Sequence, residues 1–210
     1  MGSSRHVLQG QVDGAYPLQV TVSPSPDLDH LAEAFAASLA DVTPVAERKG
    51  NYVHAPVVAR TYISDRALPV ALVRSARALV LRRRAVVVVR ERDGYRHITP
   101  GGRLEPGETV EEAVRREVLE ECGWRLGALR PLGFEHVQHV DAPPPGLPAA
   151  GFLNPIFVAE GLSFHRSARD MTQSEVGSSL VSVARALREL PDWSATLLRC
   201  AQSQRPALLV

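Results

Sequence analysis

The sequence predicts an α/β (α+β) fold: a mixed β-sheet flanked by helices, preceded by an N-terminal extension that carries an amphipathic helix. Three observations predict it. Short β-branched and apolar runs lie on both sides of one strongly capped segment. Turn signals separate these runs, and apolar residues recur at helical spacing in the extension, the capped segment and the C-terminal region.

Taken in order, Ser25-Pro26 reads as an N-cap and first helical residue, followed by Leu28, Leu31, Ala32, Phe35 and Leu39 on one stripe. LQVTV before this helix is strand-like, and NYVHAPVVARTYI follows it, so residues 1–68 are expected to fold as an extension or small subdomain. Packing on the sheet, an oligomer contact such as a homodimer, and a lid over a substrate pocket are all open roles for it. Residues 75–82 (SARALVLR) and 84–91 (RAVVVVRE) read as neighbouring strands, with Arg82-Arg83-Arg84 as the solvated turn between them. Asp93-Gly94 signals a hairpin before YRHIT and a Pro100-Gly101-Gly102 loop.

Thr109 followed by Glu112 is a capping box, so a helix starts at Val110, with Val110, Val114, Val118 and Cys122 as its apolar stripe. Leu132 to Val140 and Phe152 to Ala159 read as strands separated by the Pro-rich stretch DAPPPGLPAAG. Ser179 to Ala184 is a candidate last strand. Trp193 to Gln202 reads as a closing helix with Trp193, Leu197 and Leu198 inward.

With 210 residues, 45% of them hydrophobic, the chain has enough material for one large domain or a domain with a small companion. The boundary is expected near residue 69, giving an extension over 1–68 and a main domain over 69–210. Twenty-four basic against 23 acidic residues leave a charge of +1, which excludes a global basic field for nucleic acid and favours a small anionic substrate held by local charges. Lys49 is the only lysine, so arginine forks are the available phosphate ligands. Two cysteines, Cys122 and Cys200, read as reduced thiols in a cytoplasmic protein. No apolar stretch is long enough to span a bilayer, and the N-terminus lacks the form of a signal peptide.

The chemistry concentrates in GGRLEPGETVEEAVRREVLEECGW, residues 101–124. Glu117, Glu120 and Glu121 stand at i, i+3 and i+4, on one side of the helix and within reach of a common point. Such a cluster repels itself unless cations fill it. Hard oxygen ligands select Mg²⁺ or Mn²⁺, which keep open positions for waters and substrate phosphates. Arg116 lies four residues from both Glu112 and Glu120, which by itself reads as a surface ion-pair ladder. Gly101 and Gly102 allow the backbone to approach a ligand closely.

Read along the chain, this is Gly102, five residues, Glu108, seven residues, then Arg116-Glu117-Val118-Leu119-Glu120-Glu121-Cys122-Gly123-Trp124. At average usage, eight such positions coincide by chance on the order of once in 10⁹ starts. The pattern resembles the signature of the Nudix hydrolase family, over about residues 69–204. Trp124 departs from it, standing where the family prefers a bulky aliphatic residue.

The resemblance implies a Nudix-type α/β/α sandwich with a mixed β-sheet. It implies a MutT-like pyrophosphohydrolase in which Arg116 pairs with Glu108 to orient the metal-binding helix. Glu117, Glu120, Glu121 and the carbonyl of Gly101 are then the metal ligands, and Glu117 also accepts the proton. Glu175 stands where many members carry a further acidic residue, as general base or extra ligand, with Glu160 as its rival and a solvated loop carboxylate as the ordinary alternative.

Gly102, Arg103, His97 and His136 are the candidate substrate contacts. His136 and His139 fall on opposite faces of a strand, which argues against a shared metal site. The expected reaction is divalent-metal-dependent hydrolysis of a nucleoside diphosphate linked to another moiety, by water attack on phosphorus. Two other readings stay open: a non-catalytic nucleotide-binding regulator, and a hydrolase or isomerase of a non-nucleotide diphosphate. With 5% aromatic residues there is no clear base-stacking platform. The SQPWPFPxS-like array of NADH-cleaving members is absent, and Gln138 stands where ADP-ribose members tend to have proline.

Overall fold

The computed structural model describes residues 26–52, 54–169 and 175–204. The LQVTV run, the Ser25 cap and residues 170–174 lie outside them. Helix α1 (Pro26–Ala37) leads into β1 (Ala46–Tyr52) and β2 (Ala55–Ile63). A turn of 3-10 helix at Val70–Leu72 precedes β3 (Ser75–Arg82), β4 (Ala85–Glu91), β5 (Arg96–His97) and β6 (Gly101–Arg103). Then come α2 (Val110–Cys122), β7 (Trp124–Leu126), β8 (Arg130–His139), β9 (Phe152–Phe164) and β10 (Glu175–Ser182), closed by α3 (Val183–Glu189) and α4 (Asp192–Gln204).

One mixed sheet runs in the order β1-β2-β8-β9-β3-β4-β10, with β5 on β4, β6 on β3 and β7 on β9. Only the central β3–β9 pair among these named pairings is parallel. The expected α/β class holds, and β1 and β2 belong to this same sheet, β2 pairing with β8 from Val57↔His139 to Ile63↔Gly133.

Strand alternation assigns the layers. Ala76, Ala78 and Val80 of β3 pack with Val114, Val118 and Cys122 of α2 on one face. Leu79 and Leu81 pack with Leu197, Leu198 and Ala201 of α4 on the other. Strand β4 is covered on both faces, which is why its Val86–Val89 run is uniformly apolar. Helix α1 buries Ala32 and Phe35 against Tyr62, Phe134 and Leu153, with Leu39 of the following turn in the same cluster. The stripe read from the extension is therefore a core face.

The differences from expectation are local. The Pro100-Gly101-Gly102 loop is partly strand, because β6 pairs with β3 through Ser75↔Arg103, Ala76↔Gly102 and Arg77↔Gly101. The last strand starts at Glu175, earlier than expected, through pairing with β4. Trp124 lies on β7 against Phe164, ring centroids 5.5 Å apart. A side chain at Gly161 would come within 2.9 Å of its ring, so the larger residue is accommodated by a glycine opposite. Among the described residues no helix is long and apolar enough to cross a membrane.

Candidate active site

Thr109 caps α2 as the sequence predicts, its side chain accepting from the Glu112 amide while the Glu112 carboxylate accepts from the Thr109 amide. Glu112 is thereby occupied at the helix start. Gly123 ends the helix in the left-handed conformation at φ 76°. These caps fix the phase of the helix, and the apolar stripe at Val114, Val118 and Cys122 presses it on the sheet. Its glutamates consequently face the β6 edge.

Arg116 is the hub. Its Nε and Nη2 donate to the two carboxylate oxygens of Glu108 at 2.9 and 3.0 Å, a two-pronged pair. Nη1 donates to Glu117 at 3.0 Å and to Glu120 at 3.1 Å, and Nη2 also reaches the carbonyl of Arg103 at 3.0 Å. Arg116 thus joins the β6 edge, the Glu108 loop and the acidic face of α2. Glu121 accepts from the backbone N–H of Gly101 at 2.9 Å. Any side chain at Gly102 would collide with the Glu117 carboxylate.

The electrostatics divide the glutamates. The Arg116 hydrogen bond holds Glu108 below the ordinary carboxylate range. Glu117 is pushed up, because burial outweighs the help it receives from Arg116, and neighbouring Glu120 and Glu108 add repulsion. The pairing raises Arg116 itself. Three carboxylates around one guanidinium, with Glu121 beside them, leave a strongly anionic site. Among the described residues no three metal-type side chains converge on one point. Glu117 and Glu120 turn to Arg116, and Glu121 to the Gly101 amide.

Glu108, Arg116, Glu117, Glu120, Glu121, Gly101, Gly102 and the Arg103 backbone are therefore brought together. The other candidates lie apart. His97 is buried on β5, its Nε2 3.1 Å from Glu91 Oε1. His136 is buried beneath α1, bonded to the Ala150 carbonyl at 2.8 Å, and burial lowers its pKa. His139 faces Tyr52 and Phe152 on the opposite side of β8.

Glu160 sits opposite Leu81, four residues along β3 from the Arg77–Gly101 level, near Arg82 at 3.7 Å. Glu175 opens β10 opposite Glu91, and its side chain lies outside the described residues. Nearby, Arg169 Nε donates to the Glu121 carbonyl at 3.1 Å and Ser178 Oγ to the Cys122 carbonyl at 3.0 Å. The chain on both sides of Glu175 is thus tied to the end of α2.

Sequence reasoning missed a second charged cluster on the α4 face of the sheet, formed by Arg48, Arg77, Glu135 and Asn154. The available signal was a charge at Glu135, on a strand face that the alternation with Val137 marks as inward.

Fold and site together define an α/β protein with a carboxylate-bearing helix clamped by arginine against a glycine edge. The NUDIX domain model matches residues 71–193, and the chain belongs to the NUDIX family, a family of hydrolases. Among curated relatives, it is 43% identical over 58 residues to the NAD-capped RNA hydrolase NUDT12 of Macaca fascicularis, covering 28% of this chain and 11% of that one. It is 58% identical over 36 residues to the nucleoside triphosphatase NudI of Enterobacter sp. (strain 638), covering 16% and 26%. The chain spans well under two thirds of either relative. Among solved structures, a mutant of the Bacillus subtilis pyrophosphohydrolase BsRppH is similar at TM-score 0.49 and 22% identity, over 70% of this chain and 80% of that one.

Proposed function

We propose that this chain hydrolyses the pyrophosphate bond of a nucleoside diphosphate linked to another moiety, by water attack on phosphorus, with Mg²⁺ or Mn²⁺ as cofactor. The observation that carries the reading is the Arg116 clamp, which holds Glu108, Glu117 and Glu120 together beside the Gly101–Gly102 edge. The donor set fits a hard divalent cation: Glu117, Glu120, Glu121 and the Gly101 carbonyl offer oxygen alone. The absence of a side chain at Gly102 lets the Glu117 carboxylate lie against the backbone edge. When bound, the cation neutralises charge developing on the phosphate oxygens and makes the attacking water more acidic.

The chain's own groups supply the rest. Glu117, whose proton affinity burial raises, is the first candidate for the proton acceptor. Glu108 keeps Arg116 in place, and Arg116 keeps the glutamates in one geometry. Glu175 is the second candidate for the base, supported by its backbone position near the end of α2. Gly102 and Arg103 lie where substrate phosphates would approach, with His97 one hairpin away and His136 more remote. The relatives' names, an NAD-capped RNA hydrolase and a nucleoside triphosphatase, support a nucleotide portion in the substrate. Two free cysteines suit a reducing, cytoplasmic setting.

The test is a Mg²⁺ assay over nucleoside triphosphates, dinucleoside polyphosphates, ADP-ribose, NADH and sugar nucleotides, run in ¹⁸O water. Cleavage that stops in EDTA, with label on one phosphate product, is expected. Failure to cleave any of the panel with either cation would overturn the reading.

A further inference from the structure

The α4 face of the sheet holds a buried charge that hydrolysis does not use. Glu135 on β8 is 1% exposed, and Arg48 of β1 reaches across β2 to meet it, Nε to Oε1 at 3.0 Å and Nη2 to Oε2 at 3.1 Å. Asn154 donates to Oε2 at 3.4 Å, and Arg77 Nε stands 3.7 Å away. Burial would raise the Glu135 pKa, but the charges of Arg48 and Arg77 and the hydrogen bonds from Arg48 and Asn154 outweigh it and keep the group ionised. Two guanidiniums on one carboxylate leave the cluster with net positive charge. Arg77 Nη1 also donates to the carbonyls of Thr99 and Gly101, at 3.2 and 3.4 Å, so the cluster adjoins the glycine edge of the active site.

Arg48 is held on a second side. Its guanidinium lies over the Trp193 ring at 5.3 Å, and the indole N–H of Trp193 donates to the Tyr95 hydroxyl at 2.8 Å. Nη1 of Arg48 makes no hydrogen bond among the described residues. Arg48 lines a cavity of about 620 Å³ between β1 and the β4–β5 turn, with Lys49, Asn51, Glu91, Arg92, Asp93 and Tyr95. The acidic groups on that wall have local partners, Asp93 accepting from the Tyr95 amide at 2.8 Å and Glu91 meeting His97 at 3.1 Å. The lining carries Arg48, Lys49 and Arg92 against Glu91 and Asp93, a net charge of +1, and Arg48 is its fixed cation. A buried ion pair adds little stability by itself, but an arginine fixed along one edge and one face is preorganised to bind an anion.

We propose that this cavity is an anion subsite in which Arg48 receives a phosphate monoester on the moiety attached to the cleaved pyrophosphate. The preferred substrates are then diphosphates that carry an additional phosphate group. The assignment rests on the hydrolytic reading for the placement of the rest of the substrate, near Gly101.

Calorimetric titration of the full chain in EDTA, where the cation-dependent reaction is silent, compares AMP with adenosine 2′,5′-bisphosphate and adenosine 3′,5′-bisphosphate. At least one bisphosphate is expected to bind about tenfold or more tightly than AMP, the scale of a charged hydrogen bond. Which one it is locates the monoester on the ribose. The ratio is expected to fall to near one in Arg48→Ala. Because that change strands a buried carboxylate, the pair Arg48→Met with Glu135→Gln, which removes both charges together, serves as a second variant with the same expected loss. Equal affinities in the wild type, or an advantage that survives in a folded Arg48 variant, would overturn the proposal. A failed hydrolytic reading shows instead as no turnover with Mg²⁺ or Mn²⁺, so the two failures are separable.

Discussion

Replacing Arg116 with alanine tests whether the clamp is structural as well as chemical. The side chain is 24% exposed, and its partners Glu117, Glu108 and Glu120 are 11%, 12% and 34% exposed. Stranding one partner of a fully buried pair costs about 3–5 kcal/mol, whereas a surface pair contributes about 0.2–1 kcal/mol. This partly screened cluster falls between, at about 2–3 kcal/mol. For a chain of this size each kcal/mol moves Tm by about 2–4 °C, so a fall of about 5–10 °C is expected. Scanning calorimetry in EDTA at low salt reads it directly. A cycle with Glu108→Gln is expected to show a coupling of about 1 kcal/mol or more, because the two residues share two hydrogen bonds. Added Mg²⁺ is expected to raise Tm in Arg116→Ala more than in the wild type, since it restores counter-charge among the remaining glutamates. A variant melting within 1 °C of wild type, with additive single mutants, would refute the clamp.

Glu120→Gln and Glu121→Gln are each expected to lower Mg²⁺-dependent turnover by about 10²-fold or more, and a fully active double mutant would remove both from the site. The Mg²⁺ concentration for half-maximal rate is expected to rise as pH falls from neutrality, because burial raises the Glu117 pKa and the cation must displace its proton. A half-maximal concentration independent of pH would exclude Glu117 as a ligand. The stability effect of Glu108 follows its lowered pKa: it is full at neutral pH and lost as acid titrates the group through that lowered range, so Glu108→Gln is expected to flatten the acid limb of a Tm-versus-pH curve. Gly161→Ala is expected to destabilise by about 1–3 kcal/mol through contact with Trp124, and relief by a smaller residue at position 124 checks the cause.

Helix α2 was legible in the sequence because its signals are local: cap, stripe and terminating glycine all lie within fifteen residues. The β3–β4 hairpin was legible for the same reason. Strands β6 and β7 were not, since three-residue segments become strands only through partners far along the chain, β3 and β9. The Arg116–Glu108 pair was reached through resemblance; spacing alone pointed to Glu112 and Glu120, of which Glu120 meets Arg116 while the helix cap takes Glu112. The Arg48–Glu135 contact joins residues 87 apart, and no periodicity announces it. Few rings are present, and the grouping of Tyr95 with His97 and Trp193 arises only because the β4–β5 hairpin and α4 meet in space.

The placement of β1 and β2 bears on how this protein behaves as an object in solution. β1 reads AERKGNY, a charged strip that terminates the sheet, and edge strands of that kind discourage pairing with other chains. β2 and β8 behind it are progressively more buried, with Phe134 and Val137 at 1% and 3% exposure. A fragment trimmed to residues 71–193 would uncover β8 along its length and discard Leu197 and Leu198, which fill the opposite face. The packed unit therefore extends beyond the family-matched span, and a chain cut there is expected to aggregate along the β8 margin that β2 now covers.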